Sequence, residues 1–201
     1  MDFPIPLEVR TVTNTLREGG FEAYLVGGCV RDLLIGRTPK DWDVTTNAKP
    51  EDIVRLCPES FYENDFGTVG VKTGSEVSRL AIIEVTPYRT ESEYSDKRRP
   101  DAVTFGDNLE EDLARRDFTV NAIALEDSKG QLIDPYQGQK DIQHKVLRTV
   151  GSPTERFEED ALRLMRAIRL VAELDFALDS ETAAAIKEKA PNLSHVSRER
   201  V

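Results

Sequence analysis

Residues 24–46 read YLVGGCVRDLLIGRTPKDWDVTT, and this stretch restricts the folds open to the chain more than any other. A short apolar run, Tyr24-Leu25-Val26, turns on the pair Gly27-Gly28. A helical pattern follows at Val30, Leu33 and Leu34 and ends near Gly36. Gly36 and Pro39 then mark the return to a second extended piece, Trp42 to Thr46. Strand, glycine turn, helix start and returning strand bring phosphate groups next to backbone N–H donors. Asp41 and Asp43 stand two residues apart at the mouth of the second strand, so alternation points both carboxylates the same way. Like charges held together are unfavourable unless a cation joins them, and Mg²⁺ prefers oxygen ligands of this kind. The plainer alternative is an Asx turn or helix cap after Pro39-Lys40.

Further candidates lie downstream. Leu80-Ala81-Ile82-Ile83-Glu84-Val85 is apolar on both alternations and reads as a strand buried on both faces. An ionised Glu84 there is costly unless it is coordinated or paired, with Arg89 or Arg79 as the available partners. In the turn, Gly28 lets backbone approach an anion closely and Arg31 offers a planar fork of donors, or simply a salt bridge to Asp32. Over 155–172, Phe157, Ala161, Leu164, Ile168 and Val171 form one helical stripe. Asp160, Arg163, Arg166 and Arg169 sweep round another side of that helix. Acids early and arginines late also complement a helix dipole, so this pattern alone does not require a ligand.

The ordered set of motifs carries a resemblance. GG, VRD and G..PKDWDVTT in 27–46 resemble motif A of the class II tRNA nucleotidyltransferases (CCA-adding enzymes) and bacterial poly(A) polymerases, in the superfamily of DNA polymerase β. Arg116-Asp117-Phe118-Thr119-Val120-Asn121-Ala122 resembles motif B, and Asp134 to Asp141 resembles motif C. Glu159-Asp160-Ala161-Leu162-Arg163-Leu164-Met165-Arg166 is similar to motif D, EDxxRxxR. The resemblance implies an α+β fold: a polymerase β-like head, a mixed sheet with helices, followed by an all-helical neck.

It also implies roles. Asp41 and Asp43 would ligate Mg²⁺, with Glu84 as a third acid assisting deprotonation of the attacking hydroxyl. Gly28 and Arg31 would hold the triphosphate, and Arg116, oriented by Asp117, would contact triphosphate or ribose. Asp160 and Arg163 would read the base while Arg166 and Arg169 hold phosphate; motif C would serve structure. The implied reaction moves CMP or AMP from CTP or ATP to the 3′ end of tRNA and releases pyrophosphate. A specialised A-adding or CC-adding enzyme, a poly(A) polymerase, and a nucleotide- or RNA-binding module without catalysis stay open as alternatives.

Composition bears on the partner. The 201 residues carry a net charge of −10, which argues against binding RNA through general basicity. Basic residues do cluster at Lys97-Arg98-Arg99, Arg115-Arg116 and Arg163/Arg166/Arg169, so one positive cleft on an acidic body is the expectation. No apolar run approaches a membrane span, the start lacks a signal-peptide pattern, and the two cysteines have no metal-ligand spacing; a cytoplasmic protein is expected.

Periodicity predicts helices over 5–18, 50–56, 109–116 and 138–145. Hairpins are expected over 66–86, around Gly74, and over 122–134, with a mobile loop over 88–101 and an extended 146–150. A capping box at Ser152-Pro153-Thr154-Glu155 opens helical sequence over about 153–174 and 180–190. That change of character places a boundary near 150, between a head (1–150) and a neck (151–201). Ser197 to Val201 reads as the opening of a further helix, so the expectation is a truncated chain.

Overall fold

The computed structural model describes residues 3–63, 67–91 and 103–195. Helix α1 (Leu7–Glu18) leads into β1 (Ala23–Val26), α2 (Gly28–Leu34), β2 (Asp43–Thr46) and α3 (Pro50–Leu56). Then come β3 (Ser60–Tyr62), β4 (Val69–Lys72), α4 (Ser78–Ala81), β5 (Ile82–Pro87), β6 (Arg89–Glu91) and β7 (Val103–Phe105). The order continues α5 (Leu109–Ala114), a 3₁₀ turn at Thr119–Asn121, β8 (Ala124–Glu126), β9 (Gln131–Ile133), α6 (Gly138–His144) and β10 (Val146–Leu147). After 150 come α7 (Pro153–Glu159), α8 (Leu162–Leu174), β11 (Ala177–Leu178) and α9 (Ser180–Lys189).

Seven strands form one mixed sheet in the order β3-β4-β5-β2-β1-β8-β9, with β2 and β5 parallel and the other pairs antiparallel. Alternation divides it into two faces. The back face buries Leu25, Val44, Val69, Val71, Ile83 and Val85 against Val9, Val12 and Leu16 of α1 and Ile53 of α3. On the front face, Leu109 and Leu113 of α5 pack with Val26, Tyr88 and Ala124, covering the β1/β8 side. Thr45 on the front of β2 is buried against Asp112 of α5, while Asp43 is half-buried and Glu84 exposed, and that less covered end sets the site.

Several expectations change. Glu84 is not on a strand buried on both faces: Leu80 and Ala81 belong to α4, and along β5 Ile83 and Val85 are buried while Ile82 and Glu84 are exposed. Ile82 reads as core from its apolar type alone, yet it is 44% exposed. The segment expected as a loop over 88–101 begins as structure. Tyr88 is buried, its hydroxyl donating to Glu22 Oε2 at 2.9 Å, and β6 pairs with β7; the remainder of that segment, with Lys97, Arg98 and Arg99, lies outside the described residues, as does Ser197 to Val201.

The long helix expected over 153–174 is two helices. Asp160 adopts φ −139°, ψ 106°, and its carboxylate accepts from Leu162 N at 2.9 Å, ending α7 and capping α8. The break shifts the phase of the buried stripe. Leu164, Ala167, Leu170 and Leu174 face the core, while Ile168 is 49% exposed. Ser152 stands at the N-cap with Pro153 after it as expected, yet its side chain makes no capping hydrogen bond. Asp175, left-handed at φ 58°, turns the chain so that β11 pairs in parallel with β10. Phe118, Val120 and Leu147 pack with Leu170, Leu174 and Phe176, so a shared apolar cluster joins the residues on either side of 150.

Candidate active site

The Gly27-Gly28 turn is the geometric centre. Gly27 lies at φ 79°, a conformation that glycine adopts without a Cβ penalty. A Cβ on Gly27 would stand 3.3 Å from Asp43 Oδ2 and 3.6 Å from Arg116 Nη1. One on Gly28 would stand 3.6 Å from Arg31 Nη2 and 3.9 Å from Asp41 Oδ1. Both carboxylates therefore face the same glycine turn, and two guanidinium groups face it too. The register places Asp43 opposite Val26 on one side and Glu84 on the other.

Charge crowding follows. The Asp43 carboxyl is pushed up to about 7, first by burial and then by Glu84 and Asp41, with Arg116 and Arg166 pulling the other way. Glu84 is raised as well, by desolvation and then by Glu63 and Asp41. Among the described residues no three Asp, Glu, His or Cys side chains close on a single point as a complete metal cage. The arrangement instead suits an ion that takes one or two carboxylates and fills its shell with water and phosphate oxygens, which is how Mg²⁺ is commonly held.

Arginines line the approach. Arg31 is buried, with Nε and Nη2 on Asp32 Oδ1 at 2.9 and 2.7 Å and Nη1 on Asn121 Oδ1 at 2.9 Å. The salt bridge weighed as an alternative thus exists, and the same guanidinium still borders Gly28. Asn121 Nδ2 donates to Asp117 Oδ1 at 3.1 Å, and Asp117 Oδ2 accepts Arg166 Nε at 2.8 Å. Asp117 therefore orients Arg166, not Arg116 as expected. Burial would raise Asp117, but Arg166 and Asn121 outweigh it and hold the carboxyl below the usual carboxylate range.

Arg116 is held by a residue that the sequence did not single out. Asp112 is fully buried and accepts Arg116 Nη2 at 3.0 Å, Arg115 Nη2 at 2.6 Å and Thr45 Oγ1 at 3.1 Å. Its signal was the spacing Asp112/Arg116, one helical turn, with Arg116 just past the end of α5. Arg116 Nε is buried without a partner, a spare donor beside the glycine turn.

A cleft of about 420 Å³ gathers Gly28, Asp41, Asp43, Asn121, Arg166 and Arg169, with Arg31 in its wall. Asp160 and Arg163 do not line it. Arg163 is buried, its Nη1 donating to Glu159 Oε2 at 2.6 Å and to Arg156 O at 3.3 Å. The expected side-by-side pair of Asp160 and Arg163 is thus replaced by Glu159 with Arg163, because Asp160 turns to cap α8. Burial raises the Asp160 carboxyl, although its backbone contact and Arg163 oppose that. At the far end of α8, Lys40 donates to Glu173 Oε1 at 2.5 Å and Arg37 to the Glu173 carbonyl at 3.0 Å, tying α8 to the loop that carries Asp41. In motif C, Asp134 accepts from Gly138 N at 2.7 Å and Gln139 N at 2.9 Å, capping α6. A second cavity of about 430 Å³ lies between α1, Leu56 and the back of β4, away from the acids.

The family described as "Poly A polymerase head domain" matches residues 23–148, more than half of the chain. The chain belongs to that family. A second description, "Probable RNA and SrmB- binding site of polymerase A", matches 175–201. The CCA-adding enzyme of Geobacillus kaustophilus (strain HTA426) is 49% identical over 192 residues, covering 94% of this chain and 46% of that protein. The CCA-adding enzyme of Lactobacillus helveticus (strain DPC 4571) is 47% identical over 196 residues, 97% of this chain and 48% of that protein. The head-domain chain thus spans just under half the length of the curated relatives it matches.

Among solved structures, the Bacillus stearothermophilus CCA-adding enzyme in complex with CTP aligns with a TM-score of 0.85 and 42% identity over 98% of this chain and 47% of that one. A tRNA nucleotidyltransferase complexed with a primer tRNA and an incoming ATP analog aligns at 0.74 with 30% identity, over 94% and 53%. The α+β head with a mixed sheet is the fold they share with this member of the poly(A) polymerase head-domain family. Divalent metal is the general cofactor class of such nucleotidyltransferases. Among the described residues no helix is long and apolar enough to cross a membrane.

Proposed function

We propose that the chain is the catalytic head and part of the neck of an enzyme that adds CMP and AMP to the 3′ end of tRNA without a template. The observation that carries this reading is the crowding of Asp41 and Asp43 beside the Gly27-Gly28 turn, with Glu84 in register next to Asp43, at a cleft lined by Arg31, Arg166 and Arg169. The names of the two relatives described above, both CCA-adding enzymes, favour this over poly(A) synthesis.

The acceptor 3′-oxygen attacks the α-phosphorus of CTP or ATP, and the bond from that phosphorus to the bridging oxygen of the β-phosphate breaks. Pyrophosphate leaves, and the hydroxyl proton passes to Glu84, whose raised carboxyl makes it a fit acceptor. Asp41 and Asp43 would hold Mg²⁺, which when bound neutralises the charge of the attacking and leaving oxygens. Gly28 admits the triphosphate close to the backbone, and Arg31, Arg116, Arg166 and Arg169 balance its charge. Asp117 sets Arg166 in place. Asp160 and Arg163 would read the base once a nucleotide draws them toward the cleft, with Glu159 fixing Arg163 meanwhile.

We place the head at 1–150 and the neck after it, and the cytoplasm as the working compartment. The test uses tRNA ending before the first C, after CC and after CCA, with each triphosphate supplied singly. CMP addition to the first and AMP addition to the second support the reading. Unlimited AMP addition would point to poly(A) synthesis, and nucleotide binding without pyrophosphate release would leave a binding module.

A further inference from the structure

In an in-line displacement the attacking oxygen and the departing pyrophosphate lie on opposite sides of phosphorus. Around Asp43 the two sides differ. The donors suited to the triphosphate, Gly27-Gly28, Arg31 and Arg116, stand toward β1 and α5. The acceptor must then come from the other side, over β5, β4 and β3.

On that side, ladder register aligns Asp43, Glu84, Gly70 and Phe61 across four strands of the front face. Strands lie ~4.8 Å apart, so the Phe61 backbone is roughly 14 Å from that of Asp43. The side chain closes part of that gap. A Cβ on Gly70 would meet Phe61 Cζ at 2.6 Å, so the ring reaches across Gly70 toward Glu84 into space that only glycine leaves. Lys72, the next front-face position on β4, places Nζ 5.6 Å from the ring centroid. Its strand partner Ile82 is 44% exposed and Glu84 on the neighbouring strand is exposed too, so among the described residues this end of the strip is open.

Resting on the reading above, we infer that Phe61 and Lys72 form the binding site for the 3′-terminal nucleotide of the acceptor RNA. The ring stacks on the base and the ammonium meets its phosphate. Stacking suits this task because the terminal base changes as nucleotides are added, and an aromatic face accepts any base. An exposed cation–π contact is worth less than base stacking, so Lys72 yields the ring face and follows the phosphate. Glu63 and Glu84 on the same side repel phosphate, which leaves the ring as the main source of grip.

The test is Phe61→Ala and Phe61→Trp, each assayed for KM toward acceptor and toward CTP. Quenching of an RNA oligonucleotide with a 3′-terminal 2-aminopurine is measured alongside. Phe61→Ala should raise the acceptor KM about tenfold, leave the CTP KM unchanged and abolish the quench. Phe61→Trp should restore both. An unchanged acceptor KM in Phe61→Ala, an equal rise for CTP, or a tryptophan variant as defective as alanine would overturn the inference. Failure of the catalytic reading shows separately, as turnover that survives Asp43→Ala.

Discussion

Arg166 of α8 closes on Asp117, Nη2 to Oδ2 at 2.6 Å, and so fastens the first helices after residue 150 to motif B. Through Asn121 the same carboxylate reaches Arg31, making one polar chain from the glycine turn to α8. Motion of α8 and placement of the cleft arginines are therefore linked.

Asp117→Ala should destabilise the fold by about 2 kcal/mol, the scale of a charged hydrogen bond, with Arg166 half-exposed and partly screened. The sign with pH is fixed by the lowered carboxyl. Its contribution is complete above the unfolded value, about 3.9, and disappears as pH falls through the lower folded value. Melting curves should show the gap between wild type and Asp117→Asn narrowing below about pH 4.

Asp43 works in the opposite sense. Its folded value of about 7 lies above the unfolded one, so without divalent cations it costs stability increasingly as pH rises from about 4 to 7. Asp43→Asn should melt higher than wild type at neutral pH without Mg²⁺, while Asp43→Ala abolishes incorporation with the fold intact. Added Mg²⁺ should raise the melting temperature of wild type and not of Asp43→Asn. A wild-type melting temperature that ignores both pH and Mg²⁺ in this window would remove the crowding argument.

Asp112 acts through Arg116. Asp112→Asn should raise the KM for CTP about tenfold with a smaller change in kcat, because a displaced guanidinium weakens charge-assisted contacts to phosphate. Combined with Arg116→Ala the two effects should not add. Additive effects would make Asp112 a stabiliser of α5 alone.

Arg163→Ala should blur selection among the four nucleotides more than it weakens triphosphate binding. Glu159→Gln, which loosens the contact at 2.6 Å, should blur it in the same direction and less. Competition assays with mixed triphosphates read both, and unchanged selectivity in Arg163→Ala would place base reading elsewhere.

What the sequence disclosed was local. The turn at Gly27-Gly28 and the convergence of Asp41 and Asp43 follow from short-range geometry, and they stand where spacing put them. The break at Asp160 was hidden because Phe157, Ala161 and Leu164 keep helical spacing across it, and only the exposure of Ile168 reveals the lost phase. Partners across the fold were hidden too: Asp117 was adjacent to Arg116 in sequence, yet Arg166, 49 residues away, takes its charge. Strand β3 is three residues with a polar start, too short for alternation to register, although it carries Phe61.

The central claim is that Asp41 and Asp43 hold divalent cations beside a triphosphate seated on the Gly27-Gly28 turn. Crystals grown with Mn²⁺ and CTP test it by anomalous scattering. The account predicts manganese bound directly to oxygens of both aspartates, with the triphosphate against Gly28 and Arg31. Manganese bound elsewhere, or CTP in the cavity behind β4, would contradict it.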